Sequence, residues 1–233
     1  MKNKQKPTLT IIIPSINEGK ILTKVINACK KIKEYDQKIL IVIPNKATKA
    51  TKDEAKKSGE KIINTGNILG KGTAVKFSIP YIKTDYVVQI DADYQFLPEE
   101  IPQLVAPLFN GYDVALGTRY QKGSKIESDS VSFLRLFGSY ALSLITSIFA
   151  RKRVTDVMAG FKAFKTPVLK KLNPQTSHFG YEAELVVRAA KKGYKITNVP
   201  ISYRKRDVGR SSVSSFKHGF LVLQTIIKTA LEK

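Results

Sequence analysis

The chain of 233 residues contains no tryptophan, one cysteine, two histidines and two methionines. A single thiol, Cys29, excludes a disulfide framework and any metal site built on cysteines, and it fits a reducing compartment. The histidines, His178 and His218, fall in no matching catalytic motif. Acid is scarce beside base: 19 Asp and Glu against 40 Lys and Arg, a formal net charge of +21. That excess points to an anionic partner (nucleic acid, an anionic membrane surface or a phosphorylated substrate) without choosing among them. Internal repeats and low-complexity linkers are absent. No signal peptide is expected, because the basic start Met1–Pro7 leads into a strand too short for one. With 42% hydrophobic residues, the chain has enough for one domain with a sizeable core, or a domain plus a small appendage.

The most informative stretch is Tyr86-Val87-Val88-Gln89-Ile90-Asp91-Ala92-Asp93-Tyr94-Gln95. Its first five residues predict a buried strand. The strand runs into two carboxylates separated by the small Ala92, at the end where α/β sheets bind ligands. Asp91 and Asp93 can converge on one hard cation, with Gln95 offering a third oxygen, and Mg2+ is usually held by one or two carboxylates plus phosphate oxygens. On these residues alone, an Asp-rich solvated turn is the competing reading.

Around it, strand and helix patterns alternate. Thr8–Ile13 predicts a strand ending at Pro14-Ser15-Ile16-Asn17-Glu18, where Ser15 and Asn17 are turn and N-cap residues. Leu22, Val25, Ile26, Cys29 and Ile32 mark a helix face. Lys38–Ile43 predicts a second strand closed by Pro44-Asn45, and a helix near Lys52–Ser58 and a strand at Lys61–Asn64 follow. The loop Gly70-Lys71-Gly72 leads into a helix over Thr73–Ile82; its glycines let backbone amides approach a phosphate, and Lys71 adds charge. A plain loop fits it equally, and it is not a Walker A loop. This order predicts a doubly wound α/β unit with a mostly parallel sheet. Beyond Gln95 come a helix that Pro107 should kink or end, a strand at Asp113–Gly117, a polar, mobile stretch at Gln121–Asp129, and a late strand at Ile196–Tyr203. Val131–Ala150, interrupted by Arg135 and several hydroxyls and followed by Arg151-Lys152-Arg153, reads as a basic helix lying in a membrane interface. A buried core helix is the alternative. Ser214–Leu231, with Phe216, Phe220, Leu223, Ile226, Ile227 and Ala230 at helical spacing, is a second interfacial candidate.

Several pieces, taken in order, carry a resemblance. Ile11-Ile12-Ile13-Pro14-Ser15-Ile16-Asn17-Glu18, Gly70-Lys71-Gly72, Asp91-Ala92-Asp93-Tyr94-Gln95, Gly117-Thr118-Arg119-Tyr120, Asp156 through Phe164 and Val199-Pro200-Ile201 together resemble family 2 glycosyltransferases, in the dolichol-phosphate mannose synthase branch. The resemblance covers nearly the whole chain. It implies a GT-A fold with a mixed central sheet over 1–212, followed by an amphipathic helix over 213–233. It also implies inverting transfer of a hexose, mannose or glucose, from a GDP- or UDP-sugar to a polyprenyl (dolichyl) phosphate. Mg2+ or Mn2+ would be held by Asp91, Asp93 and Gln95. Pro14, Ser15, Asn17, Glu18, Asn45, Lys71, Asp91 and Ala92 would meet the nucleotide sugar. Asp93, Arg119 and Arg206 would be catalytic, with Arg119 and Arg135 on the acceptor phosphate. A peripheral protein on the cytoplasmic face of an anionic membrane is expected, with or without an anchoring subunit, and no nucleic-acid partner.

The chain departs from the family pattern at Pro44-Asn45, where an Asp-Asp pair usually reads the base, and at Lys205 and Arg210-Ser211-Ser212. With no tryptophan, the Gln-x-x-Arg-Trp signature of processive relatives is excluded. Two other readings share the fold: a sugar nucleotidyltransferase, disfavoured because no Gly-rich basic loop follows the first strand, and a catalytically silent lipid- or nucleic-acid-binding protein.

Overall fold

The structure, a computed structural model, describes residues 6–206 and 215–232. Strands β1 (Thr8–Pro14), β2 (Asp36–Ile43), β3 (Lys61–Asn64) and β4 (Tyr86–Gln89) alternate with helices α1 (Lys20–Lys30), α2 (Lys49–Lys57) and α3 (Lys71–Ser78). Then come α4 (Ile101–Phe109), β5 (Val114–Thr118), β6 (Lys125–Ile126), α5 (Phe133–Ala150), β7 (Lys162–Lys165), α6 (Thr166–Leu172), α7 (Tyr181–Lys191), β8 (Ile196–Pro200), β9 (Ser202–Tyr203) and α8 (Ser215–Leu231). Seven strands form one sheet in the order β3-β2-β1-β4-β7-β5-β8. Neighbours are parallel except around β7, which runs antiparallel to both β4 and β5, so the sheet is mixed.

Both faces of the sheet are covered, which is why its central strands are continuous apolar runs rather than alternating ones. Ile11 and Ile13 pack with α1 and α4 on one face, while Ile12 points to the layer containing α3, α7 and α8. Cys29 lies buried in the first layer, and burial pushes its thiol up to about 12, so it is a core residue. From β1 the chain winds outward to β2 and β3, whereas β4 lies on the other side of β1. The carboxyl ends of β1 and β4 therefore flank a topological switch point, the place where such sheets bind ligands.

Several boundaries differ from the sequence pattern for identifiable reasons. α3 begins at Lys71, two residues early, because Gly70 adopts a φ of +114° and caps it. Pro107 does not end α4 at its own position; the helix closes two residues later, where the amides of Asn110 and Tyr112 both reach its carbonyl. The Gln121–Asp129 stretch is not a bare loop: Lys125 and Ile126 pair with Ser202 and Tyr203 in a small second sheet, which splits the expected late strand at Ile201. The Gly209–Ser212 loop and the start of the last expected helix at Ser214 lie outside the described residues.

Candidate active site

At the switch point β4 gives way to a turn. The Ile90 amide still bonds the Ile12 carbonyl, at 3.1 Å, and then Asp91 to Tyr94 curl away. Tyr94 sits in the left-handed region with φ of 60°, a conformation that costs a bulky residue about 1 kcal/mol or more and marks a turn held by its surroundings. The curl lets Asp93 accept the Gln95 amide, at 3.2 Å. It also brings both carboxylates to one place, each matched to a cation. Asp91 Oδ1 lies 2.6 Å from Lys71 Nζ, and Asp93 Oδ2 pairs with the Arg206 guanidinium. Ala92 between them is buried. Gly160 is packed so tightly on Asp91 that a Cβ there would fall 2.3 Å from Oδ1; only glycine leaves the carboxylate room.

Gln95 is buried, and both ends of its amide are engaged. Its Nε2 donates to the Arg204 carbonyl at 2.9 Å, and its Oε1 accepts from Arg206 Nε at 3.2 Å. It therefore ties the 204–206 segment to the carboxylate turn. Burial and the neighbouring Asp91 raise the Asp93 pKa, even though Arg206 and Lys71 oppose the rise. Burial disfavours the Lys71 ammonium, but Asp91, Glu182 and Asp93 more than offset it and its pKa is raised. The site is a cluster of two carboxylates and two cations packed together.

Arg119 follows β5 and is locked in place. The fully buried Asp156 accepts its Nε at 2.7 Å, its Nη2 at 2.9 Å and its backbone amide at 3.1 Å. The guanidinium lies about equally far from the rings of Tyr120 and Tyr203, at 5.0 and 4.9 Å. Burial works against its charge, and Asp156 more than compensates. Its Nη2 is also 3.4 Å from Ser139 Oγ on α5. Arg135 is half-buried one turn before Ser139 on that helix, a spacing that puts the two residues on one helix face.

On the β1 side, Glu18 organises the loop. One oxygen, Oε2, accepts the Ser15 hydroxyl at 2.6 Å and the amides of Ile16 and Asn17 at 2.7 and 2.9 Å. The N-cap of α1 is Gly19, with no side-chain cap, so Ser15 and Asn17 do not cap the helix as their residue types suggest; Pro14 and Ser15 end the strand and Asn17 is exposed. Asn45 sits in a relay of amides. The Gly66 amide donates to Asn64 Oδ1 at 2.7 Å, Asn64 Nδ2 to Asn45 Oδ1 at 2.9 Å, and Asn45 Nδ2 to Asn67 Oδ1 at 3.1 Å. A backbone N–H can only donate, so it fixes the direction of the whole relay. Asn45 thus has both ends occupied, and Asn67 Nδ2 is the donor at the end.

The Gly70-Lys71-Gly72 loop differs from its sequence reading. The Gly72 amide does not open to a phosphate: it and the Thr73 amide face the Ser177 carbonyl, at 3.0 and 3.4 Å. A Cβ at either glycine would collide with the carbonyls of Ser177 or Thr176. They admit the 176–178 backbone, and the side chain the loop places at the carboxylates is Lys71.

Four residues beside the site were given no role by the sequence, although Asp156 and Lys162 lie in a stretch that carries the resemblance: Asp156, Lys162, Glu182 and Tyr203. Lys162 is the most legible in retrospect, a lysine between Phe161 and Ala163-Phe164 on a strand that is central and therefore covered on both faces. Asp156 and Glu182 carry no local signal, because their partners are 37 and 20 residues away.

Residues 10–172 match the model of the glycosyl transferase family 2 domain. The chain is 28% identical over 225 residues to a dolichyl-phosphate hexose transferase of Haloferax volcanii, covering 97% of this chain and 95% of that protein. It is 29% identical over 229 residues to an uncharacterized protein of Methanocaldococcus jannaschii, covering 95% and 92%. Among solved structures, it superposes with a TM-score of 0.75 on glucosyl-3-phosphoglycerate synthase of Mycobacterium tuberculosis bound to Mn2+, UDP and glucosyl-3-phosphoglycerate, at 20% identity and covering 96% and 80% of the two chains. With its GT-A-like mixed sheet, the chain belongs to glycosyl transferase family 2 and is a glycosyltransferase.

Proposed function

We propose that the protein transfers a hexose from a nucleotide diphosphate sugar to a polyprenyl phosphate at a membrane surface, with a divalent cation at Asp91 and Asp93. The observation that carries this reading is the inside-out character of α5. The helix turns Ser139, Ser143 and Thr146 inward, while Phe133, Phe137, Tyr140, Leu144 and Ile148 stand 56–82% exposed. α5 is, among the described residues, the one helix long and apolar enough to cross a membrane. It packs instead along α7 and α8, with one side on protein and the other apolar, which suits a helix lying in the interface. Phe220, Leu221, Ile227 and Leu231 of α8 are exposed as well, although the buried side of that helix centres on Val222, Thr225, Ile226 and Thr229 rather than on the stripe its spacing suggested. The inward face of α5 reaches Arg119 through Ser139, so a lipid tail against α5 would bring its phosphate to the arginine edge of the site. The dolichyl-phosphate hexose transferase relative supports the same acceptor class.

The carboxylate turn suits a cation. Hard divalent ions take oxygen ligands, and burial together with the neighbouring Asp91 raises the Asp93 pKa even with Arg206 beside it, so added positive charge would be welcome there. Among the described residues no group of three or more acidic, His or Cys side chains meets. Asp91 and Asp93 would therefore share the ion with donor phosphate oxygens, and a contact from Gln95 would require it to exchange its bond to Arg206. A cation there supplies positive charge to the diphosphate as it departs. The other groups follow from the charges. An acceptor phosphate oxygen forms the bond to the anomeric carbon as the bond to the diphosphate oxygen breaks, with inversion, and the nucleoside diphosphate leaves with one more negative charge. A phosphate ionised at neutral pH needs no general base. Lys71 and Arg206 stand beside the carboxylates, ready to receive the leaving charge, while Arg119 and Arg135 orient the acceptor.

For the base, the amide relay favours uracil, whose carbonyls accept from Asn67 Nδ2. The glucosyl-3-phosphoglycerate synthase of Mycobacterium tuberculosis binds UDP in the same fold. The test is transfer of labelled hexose from UDP-glucose and GDP-mannose, with Mn2+, to dolichyl phosphate in anionic vesicles or to soluble phosphoglycerate. Lipid-linked product from the uridine donor is expected. Product only on phosphoglycerate would overturn the acceptor assignment, and product only from the guanosine donor would overturn the base.

A further inference from the structure

Lys162 is buried completely, and the chemistry above makes no use of it. Its ammonium donates to the Val157 carbonyl at 3.0 Å, to the Ala159 carbonyl, and to Glu182 Oε2 at 3.0 Å. All three protons are thus committed inside the protein. Tyr181 steadies the carboxylate from the other side, its hydroxyl donating to Glu182 Oε1 at 3.2 Å. A buried ion pair is a poor device for stability alone, since well-packed apolar residues of similar volume often do as well or better. What apolar side chains cannot do is hold two carbonyls of one turn.

That turn joins the two halves of the site. Asp156 at its start holds Arg119 by three hydrogen bonds. Gly160 at its end presses on Asp91. The backbone of Lys162 spans the same two halves, since it is in register with Gln89 of β4 on one side and Leu116 of β5 on the other. Asp91 lies two residues beyond Gln89, and Arg119 three beyond Leu116. We propose that Lys162, anchored by Glu182, is a positioning residue: by clamping the 156–160 turn it fixes the separation between the donor-side carboxylate Asp91 and the acceptor-side Arg119. Lys162 touches neither substrate. It acts on the step that needs both ends of the site in register, because small displacements of reacting groups cost large factors in rate. The inference rests on the roles proposed above for Asp91 and Arg119.

The test removes the clamp without leaving a stranded charge. Lys162→Met alone would bury an unpaired carboxylate and should unfold readily, so the informative variant is Lys162→Met/Glu182→Gln. Its thermal midpoint should stay near the wild-type value. Its kcat should fall at least tenfold, while KM for the nucleotide sugar and calorimetric binding of UDP with Mn2+ change less than threefold. Amide exchange by mass spectrometry should quicken in the peptide covering 156–161 and stay unchanged in β1 and β2. A folded double variant with kcat within twofold of wild type would overturn the proposal, as would a loss confined to KM. If the double variant does not fold, Ser143→Ala asks the same question: it removes the 3.0 Å bond that the Val157 amide of the same turn donates to Ser143 Oγ. A severalfold drop in kcat at constant KM supports the clamp, and unchanged kcat sinks it. The exchange readout needs no substrate, so it judges the clamp even if wild-type enzyme makes no lipid-linked product, an outcome that would count against the proposed acceptor instead.

Discussion

Asp93 is held where its ionised form is uncomfortable. Burial and the neighbouring Asp91 raise its pKa, and the Arg206 pair recovers only part of that cost. A carboxylate kept in such a place costs the fold stability at neutral pH and serves something else. Asp93→Asn keeps the shape and removes the charge, so the variant should unfold at the same temperature as wild type or slightly above it. The same variant should lose metal-dependent binding of the nucleotide by tenfold or more in calorimetry with Mn2+. A lowered midpoint with retained binding would show the carboxylate to be structural. The structure brings together Asp91, Asp93 and Arg206, which the sequence had singled out, the carboxylates because two of them at the end of an apolar strand is a local pattern. Asp156 was given no role, because its meaning comes entirely from an arginine 37 positions away. Glu18 was found for its place in the strand-end motif, but its bonds to the Ser15 hydroxyl and to the Ile16 and Asn17 amides make it the organiser of that loop.

At the scale of elements, the alternation of apolar strands and amphipathic helices marked each of β1 to β4 and the helices between them, since each strand is covered on both faces and each helix buries one stripe. α5 resisted that logic. Its apolar residues occur nearly all round, and a sequence cannot say which side faces protein when the inward side is built of Ser139, Ser143, Thr146 and Ala150. The hydroxyls of Ser143, Thr146 and Ser147 bond carbonyls one turn back, at 2.7 Å each, and so can be buried without penalty. Small side chains also let α5 sit close to its neighbours, and the large ones are left outward. Replacing Phe137 and Leu144 by Ser should therefore leave the fold and nucleotide binding intact. These side chains are 65% and 56% exposed, and together they would bury about 2–4 kcal/mol of apolar surface in an interface. The expected result is at least tenfold weaker sedimentation with anionic vesicles. Equal binding by the variant would place the membrane contact elsewhere.

Across the whole molecule, function and stability occupy opposite edges of the sheet. The carboxyl ends of β1 and β4 carry the charged site, while the reverse edge is fastened by groups that touch no substrate. Asp113 is the clearest of these. Just ahead of β5, its carboxylate accepts the Lys195 amide leading into β8 and the Lys165 ammonium at the end of β7, both at 2.9 Å. Its backbone exchanges further bonds with the same two residues. The antiparallel insertion of β7, which no local pattern forecast, is thus pinned on both neighbours at this corner. Burial alone would raise the Asp113 pKa; the Lys195 amide and the Lys165 ammonium outweigh it and hold the carboxyl below its usual range. A carboxyl whose folded pKa is depressed adds stability that is present above its unfolded value, near 3.9, and is lost as the pH falls through the folded one. Asp113→Asn should therefore lower stability at pH 7 by about 1 kcal/mol, roughly 2–4 °C in midpoint for a chain of this size. The gap from wild type should close as the pH drops below about 4, and binding of UDP with Mn2+ at neutral pH should be unchanged. Midpoints measured across that range decide the matter: a deficit that persists undiminished into acid would mean that Asp113 acts through shape rather than charge, and a loss of nucleotide binding would mean that the two edges are coupled through β7.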